Sequence, residues 1–432
     1  MLKNIRYNIS NNKLIKNFFV LLTGESVISV LGMLNLALII NAIGQQANGM
    51  IIMVQTYTSL FASIFAFKSF QALIKYLAAS IENNDIEKAK EYIKFSYILD
   101  ISACLISAIV AYIALDISFN IMGWPNELKP YVKLYIITLL FSIQGTPIGI
   151  LRIYNKFNLT VYSNLATVIM RTLLYCLGYY YKLNFDFFFY TELILVLVNS
   201  LFLIIASLKT LKENELLNFY KSKLKFDKSF FMFNFYSNIS STIDIPVNQL
   251  TIMIMNKYLG FADISIYRTF EKLGSIISKL GSPISQIIYP EISMMIAKNE
   301  IDKAKKLSKK LFFGISGVGI LAIIGIIFTY KYWLFIFIKD YQKYIIPLII
   351  YFVYILYINS VTGTHTLFMS LNYIKYTIPI LIVINTLYLG GLYILIKALG
   401  ILGVVLSLLI QSILVVVTKI VIMKRNNYKE LI

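Results

Sequence analysis

Ionisable side chains are scarce in these 432 residues: 14% are Asp, Glu, Lys or Arg, and one is histidine. A soluble domain carries about 25% charged residues, so the deficit excludes an ordinary water-soluble globule. No Ser/His/Asp set, no metal-spaced cluster and no Walker motif occurs, so no catalytic residue, metal ligand or cofactor is expected. The lone histidine, His365, sits between Thr364 and Thr366 in an apolar stretch and is read as a hydrogen-bonded core residue rather than a proton relay. The glycines of GISGVG (314–319) follow no strand and lie in an apolar run; close helix packing is the expected use. The two cysteines, Cys104 and Cys176, both fall in apolar segments and are expected as buried thiols. Strand alternation is absent, which excludes a membrane β-barrel.

What the sequence does have is apolar length. Hydrophobic residues make up 58% of the chain and its mean hydropathy is +0.74. Segments of about 20 apolar residues, each able to cross about 30 Å of hydrocarbon, follow one another at 18–40, 50–74, 94–115, 131–151, 159–181, 187–208, 231–256, 264–296, 311–337, 344–371, 376–396 and 400–423. The expected fold is an all-α polytopic membrane protein with twelve transmembrane helices. The eighth segment exceeds a bilayer width, so it should tilt, bend at Pro283 or protrude. The basic N-terminus leads into an apolar run too long for a signal-peptide core, so it is read as an uncleaved first helix.

The net charge of +19 is a matter of topology rather than a nucleic-acid partner. Alternate loops hold 26 of the lysines and arginines on one side and 7 on the other. The positive-inside rule places both termini in the cytoplasm. The longest polar stretch, 209–229, is expected as a basic cytoplasmic linker helix on anionic headgroups. The opposite loops are short, leaving no room there for a catalytic domain.

The chain also repeats itself. Asp85-Ile86-Glu87-Lys88-Ala89-Lys90 matches Glu300-Ile301-Asp302-Lys303-Ala304-Lys305 at an offset of 215, and Ile43-Gly44 faces Leu259-Gly260 at 216. Half the chain is 216 residues, so two similar halves follow, an arrangement common in transporters. The domains are taken as 1–208, the linker 209–229, and 230–432.

A charge at mid-bilayer costs at least about 2.5–3.5 kcal/mol, so such residues should face a cavity or a partner. In the second span Lys68, Gln71 and Lys75 share a helical face, and in the eighth Arg268, Lys272, Ser275 and Lys279 do so, with Glu271 beside them. A cationic stripe on corresponding helices suits a phosphate or diphosphate. If the halves pack face to face, both stripes converge on one pathway. Among the acids, Glu25, Asp244 and Glu271 are candidates for coupling a cation or for ion pairing, and Arg171 is expected to pair with Asp100.

These stretches carry a resemblance. TGESVISVLGMLNLALIINAIG (23–44), KSFQALIKYLAAS (68–80), the paired acid-lysine loops, and YLGFADISIYRTFEKLGSIISKLGSPISQIIYPEIS (258–293) resemble the polysaccharide branch of the multidrug/oligosaccharidyl-lipid/polysaccharide (MOP) superfamily, and within it Wzx-type O-antigen flippases. The resemblance implies two pseudo-symmetric six-helix bundles, as in the related MATE transporters, around a cavity that opens alternately to each side. It implies an undecaprenyl-diphosphate-linked oligosaccharide as partner, with membrane lipids and other polysaccharide-assembly proteins beside it, in a bacterial inner membrane. The family's cavity helices carry Glu25, Lys68, Lys75, Asp244, Arg268, Lys272 and Lys279 here. Lipid II flippases of the superfamily have fourteen spans, against twelve here. The rival reading is a MATE-type exporter of small amphipathic molecules driven by H⁺ or Na⁺, which would depend on the acids. Enzyme activity is not expected.

Overall fold

Helix is the only regular structure in the computed structural model, which describes residues 2–65, 70–242, 245–371 and 373–426. The first half runs through α1 (Leu2–Phe65), α2 (Phe70–Glu82), α3 (Ile86–Met122), the short α4 (Lys129–Tyr135), α5 (Ile137–Leu140) and α6 (Gly145–Ile153), then α7 (Asn158–Tyr180) and α8 (Phe185–Glu213). The second continues with α9 (Lys228–Thr242), α10 (Ile245–Leu259), α11 (Phe261–Ala297), α12 (Ile301–Trp333), α13 (Tyr341–Ser360), α14 (Thr362–Ser370), α15 (Thr377–Leu399) and α16 (Ile401–Asn426). The helices follow the expected succession of spans. Among the described residues eight stretches, from Ser26–Phe65 to Ile401–Arg425, are long and apolar enough to cross a membrane. The protein is a multi-pass helical membrane protein. The chain divides into two compact units, Met1–Ile43 with Met50–Gln249, and Gly44–Gly49 with Leu250–Ile432.

The repeat read from the sequence is built into the backbone. Gly44 breaks α1 at φ 83°, ψ 166°, and Gly260 separates α10 from α11 at φ 99°, ψ 179°. That region of conformational space is open essentially only to glycine. A second pair of turns matches atom for atom. Asn84 and Asn299 take left-handed φ values of 56° and 59°, which asparagine tolerates better than most residues. Each closes a Schellman motif: the Asp85 and Glu300 amides donate to Ser80 O and Met295 O at 2.9 and 2.8 Å, and the Asn84 and Asn299 amides donate to Ile81 O and Ile296 O at 3.1 and 2.9 Å. All four bonds obey the 215 offset. The turns differ at the cap, since the Asp85 side chain accepts from the Lys88 amide at 3.1 Å while Glu300 makes no such bond.

The packed interiors repeat as well. Leu73, Leu77 and Ala89 lie in the core of the first unit; Ile288, Ile292 and Ala304, each 215 residues on, lie in that of the second. Alanine at 89 and 304 is almost completely buried, at 1% and 0% exposure, so the helix after each asparagine turn seats its backbone against its neighbours.

Three sequence expectations are corrected. The stretch 209–229 is not a free-lying helix: α8 continues to Glu213, a 3₁₀ turn spans Leu217–Lys221, α9 starts at Lys228, and the residues between them are irregular. It docks on α3, where Phe219 stacks on Tyr97 at 5.2 Å and Lys94 Nζ donates to Tyr220 O and Ser222 O at 2.9 and 2.6 Å. Of GISGVG only Gly319 is closely packed, a Cβ there falling 1.9 Å from Leu356 Cδ1, whereas Gly314 and Gly317 face open space. Cys104 is buried but Cys176 is exposed. The eighth span forms one continuous helix, α11, past Pro283; its 37 residues extend about 55 Å, well beyond the hydrocarbon.

Candidate functional site

In the first unit Gln71 and Lys75 lie four residues apart on α2, both exposed. Lys75 Nζ lies 4.3 Å from the Phe233 ring centroid and 5.4 Å from that of Tyr76. The aromatic bed beneath it is fixed by Asp227, which caps α9 by accepting the Ser229 and Phe230 amides at 2.8 and 3.0 Å and the Tyr92 hydroxyl at 3.0 Å. Tyr92 stacks on Phe230 at 5.3 Å, and Tyr76 meets Phe230 edge-on at the same distance. Burial opposes ionisation of Asp227. The Phe230 amide, the Tyr92 hydroxyl, the Ser229 amide and the nearby charge of Lys88 outweigh it and hold the carboxyl below its ordinary value of 3.8.

In the second unit one face of α11 packs and another carries charge. Tyr267, Phe270 and Gly274 turn to α13: both rings approach Tyr351, at 6.0 and 6.1 Å, and a Cβ on Gly274 would sit 2.7 Å from Tyr351 Cε1. That leaves Arg268, Glu271 and Lys272 together. Arg268 Nη1 and Glu271 Oε2 are 2.6 Å apart, both half-buried. Lys272 is exposed and its carbonyl accepts from Ser275 Oγ at 2.7 Å. Lys68 and Asp244 lie outside the described residues, as do the side chains of Glu25 and Lys279.

The buried charges pair differently from the sequence expectation. Arg171 binds Glu192 through two nitrogens, Nε at 2.7 Å and Nη2 at 3.1 Å. The carboxylate also accepts Tyr175 Oη at 2.6 Å and Gln55 Nε2 at 3.1 Å. Asp100 instead accepts the Thr146 amide at 2.7 Å. Both fits follow from fold distance, since Glu192 on α8 faces Arg171 on α7 while Asp100 on α3 faces the start of α6. Beside this network lies a cleft of about 330 Å³ with Gln144, Asn164, Thr167, Arg171, Asn199 and Ser200 on its walls. The sequence carried a signal for it: 164, 167, 168, 171 on α7 and 192, 195, 196, 199 on α8 are each spaced i, i+3, i+4, i+7.

His365 is hydrogen-bonded, as expected, its Nδ1 lying 2.9 Å from Lys419 Nζ, but it is exposed rather than a core residue, while Lys419 is 6% exposed. Among the described residues no group of three His, Cys, Asp or Glu could hold a metal ion.

Comparison with known proteins gives likenesses of three kinds: to a family, to a curated protein and to solved structures. The model of a family described as polysaccharide biosynthesis protein matches residues 14–296. The chain is 21% identical over 326 residues to the inner membrane protein YghQ of Escherichia coli (strain K12), covering 74% of this chain and 90% of that one. In structure it resembles an inward-facing multidrug resistance MATE family transporter of the MOP superfamily, with a TM-score of 0.72 at 13% identity over 94% of this chain and 96% of that one. It also resembles the D35N mutant of the Vibrio cholerae MATE transporter VcmN, with a TM-score of 0.61 at 14% identity over 97% and 98%.

Proposed function

Because the chain belongs to the family of polysaccharide biosynthesis proteins, we propose that it is a flippase for undecaprenyl-diphosphate-linked repeat units of an O-antigen or other polysaccharide. It would carry them from the cytoplasmic to the periplasmic leaflet of a bacterial inner membrane by alternating access, with both termini cytoplasmic. The observation that carries this reading is the exposure of Lys75 and Lys272 on helices that hold corresponding places in the two halves. An ammonium group in low dielectric pairs strongly with phosphate oxygens, and the diphosphate is the charged part of such a substrate. Lys68 and Gln71 on the first of these helices and Lys279 on the second would add to the two lysines, Arg268 being held by Glu271. Glu25 and Asp244 would serve as ion-pair or coupling acids. The prenyl tail would stay in lipid.

Export of small amphipathic molecules coupled to H⁺ or Na⁺ would need an acid open to the passing ion. Of the described intramembrane acids, Glu192 and Glu271 are both in ion pairs with arginine and Asp100 is buried, accepting the Thr146 amide; the likeness to multidrug transporters extends to the fold alone. Complementation tests the flippase reading: a strain lacking its own flippase and making the matching glycan receives the wild-type chain or Lys272→Ala. Surface glycan is expected with the wild type, and a loss of tenfold or more with the stably expressed variant. Equal restoration by both would remove Lys272 from the reading, and no restoration by the wild type would overturn the reading itself.

A further inference from the structure

The cleft in the first unit is not accounted for by diphosphate binding. Its volume of about 330 Å³ is within the range of small-molecule sites, and it lies at the level of helix centres. Asn199 is the middle residue of α8, and Arg171 lies near the middle of α7. Amides at that depth are costly against hydrocarbon and are tolerated where they line a polar cavity. Asn164 and Gln144 are exposed there, while Asn199 accepts Ser163 Oγ at 2.5 Å and reaches Asn164 Oδ1 at 3.5 Å.

The lining also says what the cleft does not take. Its one cation, Arg171, is neutralised by its ion pair with Glu192, one hydrogen bond from Nη2 and a close Nε contact, so an anion would meet no unmatched charge. Glu192 in turn is engaged by Arg171, Tyr175 and Gln55, so a metal cation would have to break that network. What remains is neutral: carboxamides and hydroxyls that both donate and accept, set against an aliphatic wall that includes Val168 and Leu195. A sugar ring has this pattern, with hydroxyls at its rim and C–H groups on its faces.

We infer that the cleft between α7 and α8 receives an uncharged sugar ring of the lipid-linked substrate, with Asn164 and Asn199 reading its hydroxyls. The site rests on the flippase reading and adds to it a place where the glycan, rather than the diphosphate, is recognised. The test is equilibrium binding to the full chain in lipid nanodiscs. The probes are undecaprenyl diphosphate alone and the same lipid carrying a single N-acetylglucosamine, glucose or galactose. At least one sugar-bearing probe is expected to bind the wild type more tightly than the bare lipid. Asn164→Ala should remove about threefold to tenfold of that gain, the worth of one neutral hydrogen bond, with affinity for the bare lipid unchanged. Thr167→Phe, which fills the cleft from its wall, should remove the gain without needing the amide. If the bare lipid binds and no sugar adds affinity, or if both variants keep the gain, the sugar site is wrong and the flippase reading stands. If the bare lipid itself fails to bind the wild type, the flippase reading fails first and takes the sugar site with it.

Discussion

Replacing Gly44 or Gly260 with alanine separates backbone strain from packing, because neither glycine has a neighbour that a methyl group would strike. A Cβ built on either meets nothing within 4 Å. Their φ values of 83° and 99° at ψ near 180° cost a side-chain-bearing residue about 1–3 kcal/mol. The lower entropy of an unfolded alanine returns about 0.4–1 kcal/mol, so each substitution should destabilise by about 1–2 kcal/mol. The control is Gly317→Ala in α12, also open to space but helical, where alanine should stabilise by about 0.5–1 kcal/mol. Unfolding in mixed micelles of a mild detergent and dodecyl sulfate, followed by circular dichroism, measures both. A gap of about 2 kcal/mol between Gly44→Ala and Gly317→Ala is expected, and a similar one for Gly260→Ala. If the three variants were equally stable, the breaks would be relaxed bends that any residue could adopt, and the backbone argument for the repeat would fall.

Two further outcomes follow from the charges. Arg171→Met leaves the buried Glu192 with only Tyr175 and Gln55 as donors, and removing one partner of a buried ion pair costs about 3–5 kcal/mol; the same micelle titration should show it, with Arg171→Lys recovering only part of the loss, since lysine cannot make the two-nitrogen contact. Asp227 has a carboxyl held below its unfolded value, so it adds stability above about pH 4, and that stability is lost as pH falls through the folded value. Asp227→Asn should therefore lower the melting temperature at pH 7 and converge on the wild type below pH 3.8; a gap that stays constant across this range would mean the charge contributes nothing.

The fold was legible because its determinants are local or one-dimensional. Apolar length marks the spans, the lysine bias of alternate loops suggests their direction, and the repeated acid-lysine motif follows a turn whose two Schellman hydrogen bonds lie within six residues. Gly44 and Gly260 stood out only as identical letters at half-chain spacing, and their shared conformation gave that coincidence a physical cause. Pairings across the fold were not legible. Arg171 has Asp100 and Glu192 within the same apolar half, and hydropathy cannot say which helix it faces. The docking of Phe219 on Tyr97 was hidden for a related reason: a stretch with interspersed aromatics and lysines reads equally well as lipid-facing or protein-facing. The Arg268–Glu271 pair could be read because i, i+3 neighbours meet on any helix.

Burial sorts the cations of the described helices into two kinds. Arg171 is half-buried and held bidentately by Glu192, and Lys419 is almost wholly buried against His365. Both sit among side chains that fix one geometry, as expected of charges retained inside a membrane protein. Lys75 and Lys272 are exposed instead, and an exposed lysine on a helix expected from the sequence to enter the membrane has three environments open to it. Hydrocarbon would cost about 2.5–3.5 kcal/mol or more at mid-depth. The headgroup layer is open to a residue near a helix end, and Lys75, eight residues before the Asn83–Asn84 turn, can reach it by extending its stem. Lys272 is twelve residues into a helix of 37, about 17 Å from its start, farther from either helix end than a lysine stem reaches. The proposed reading gives that charge a polar cavity, and for that reason Lys272, rather than Lys75, is the residue on which the proposed diphosphate site is most directly tested.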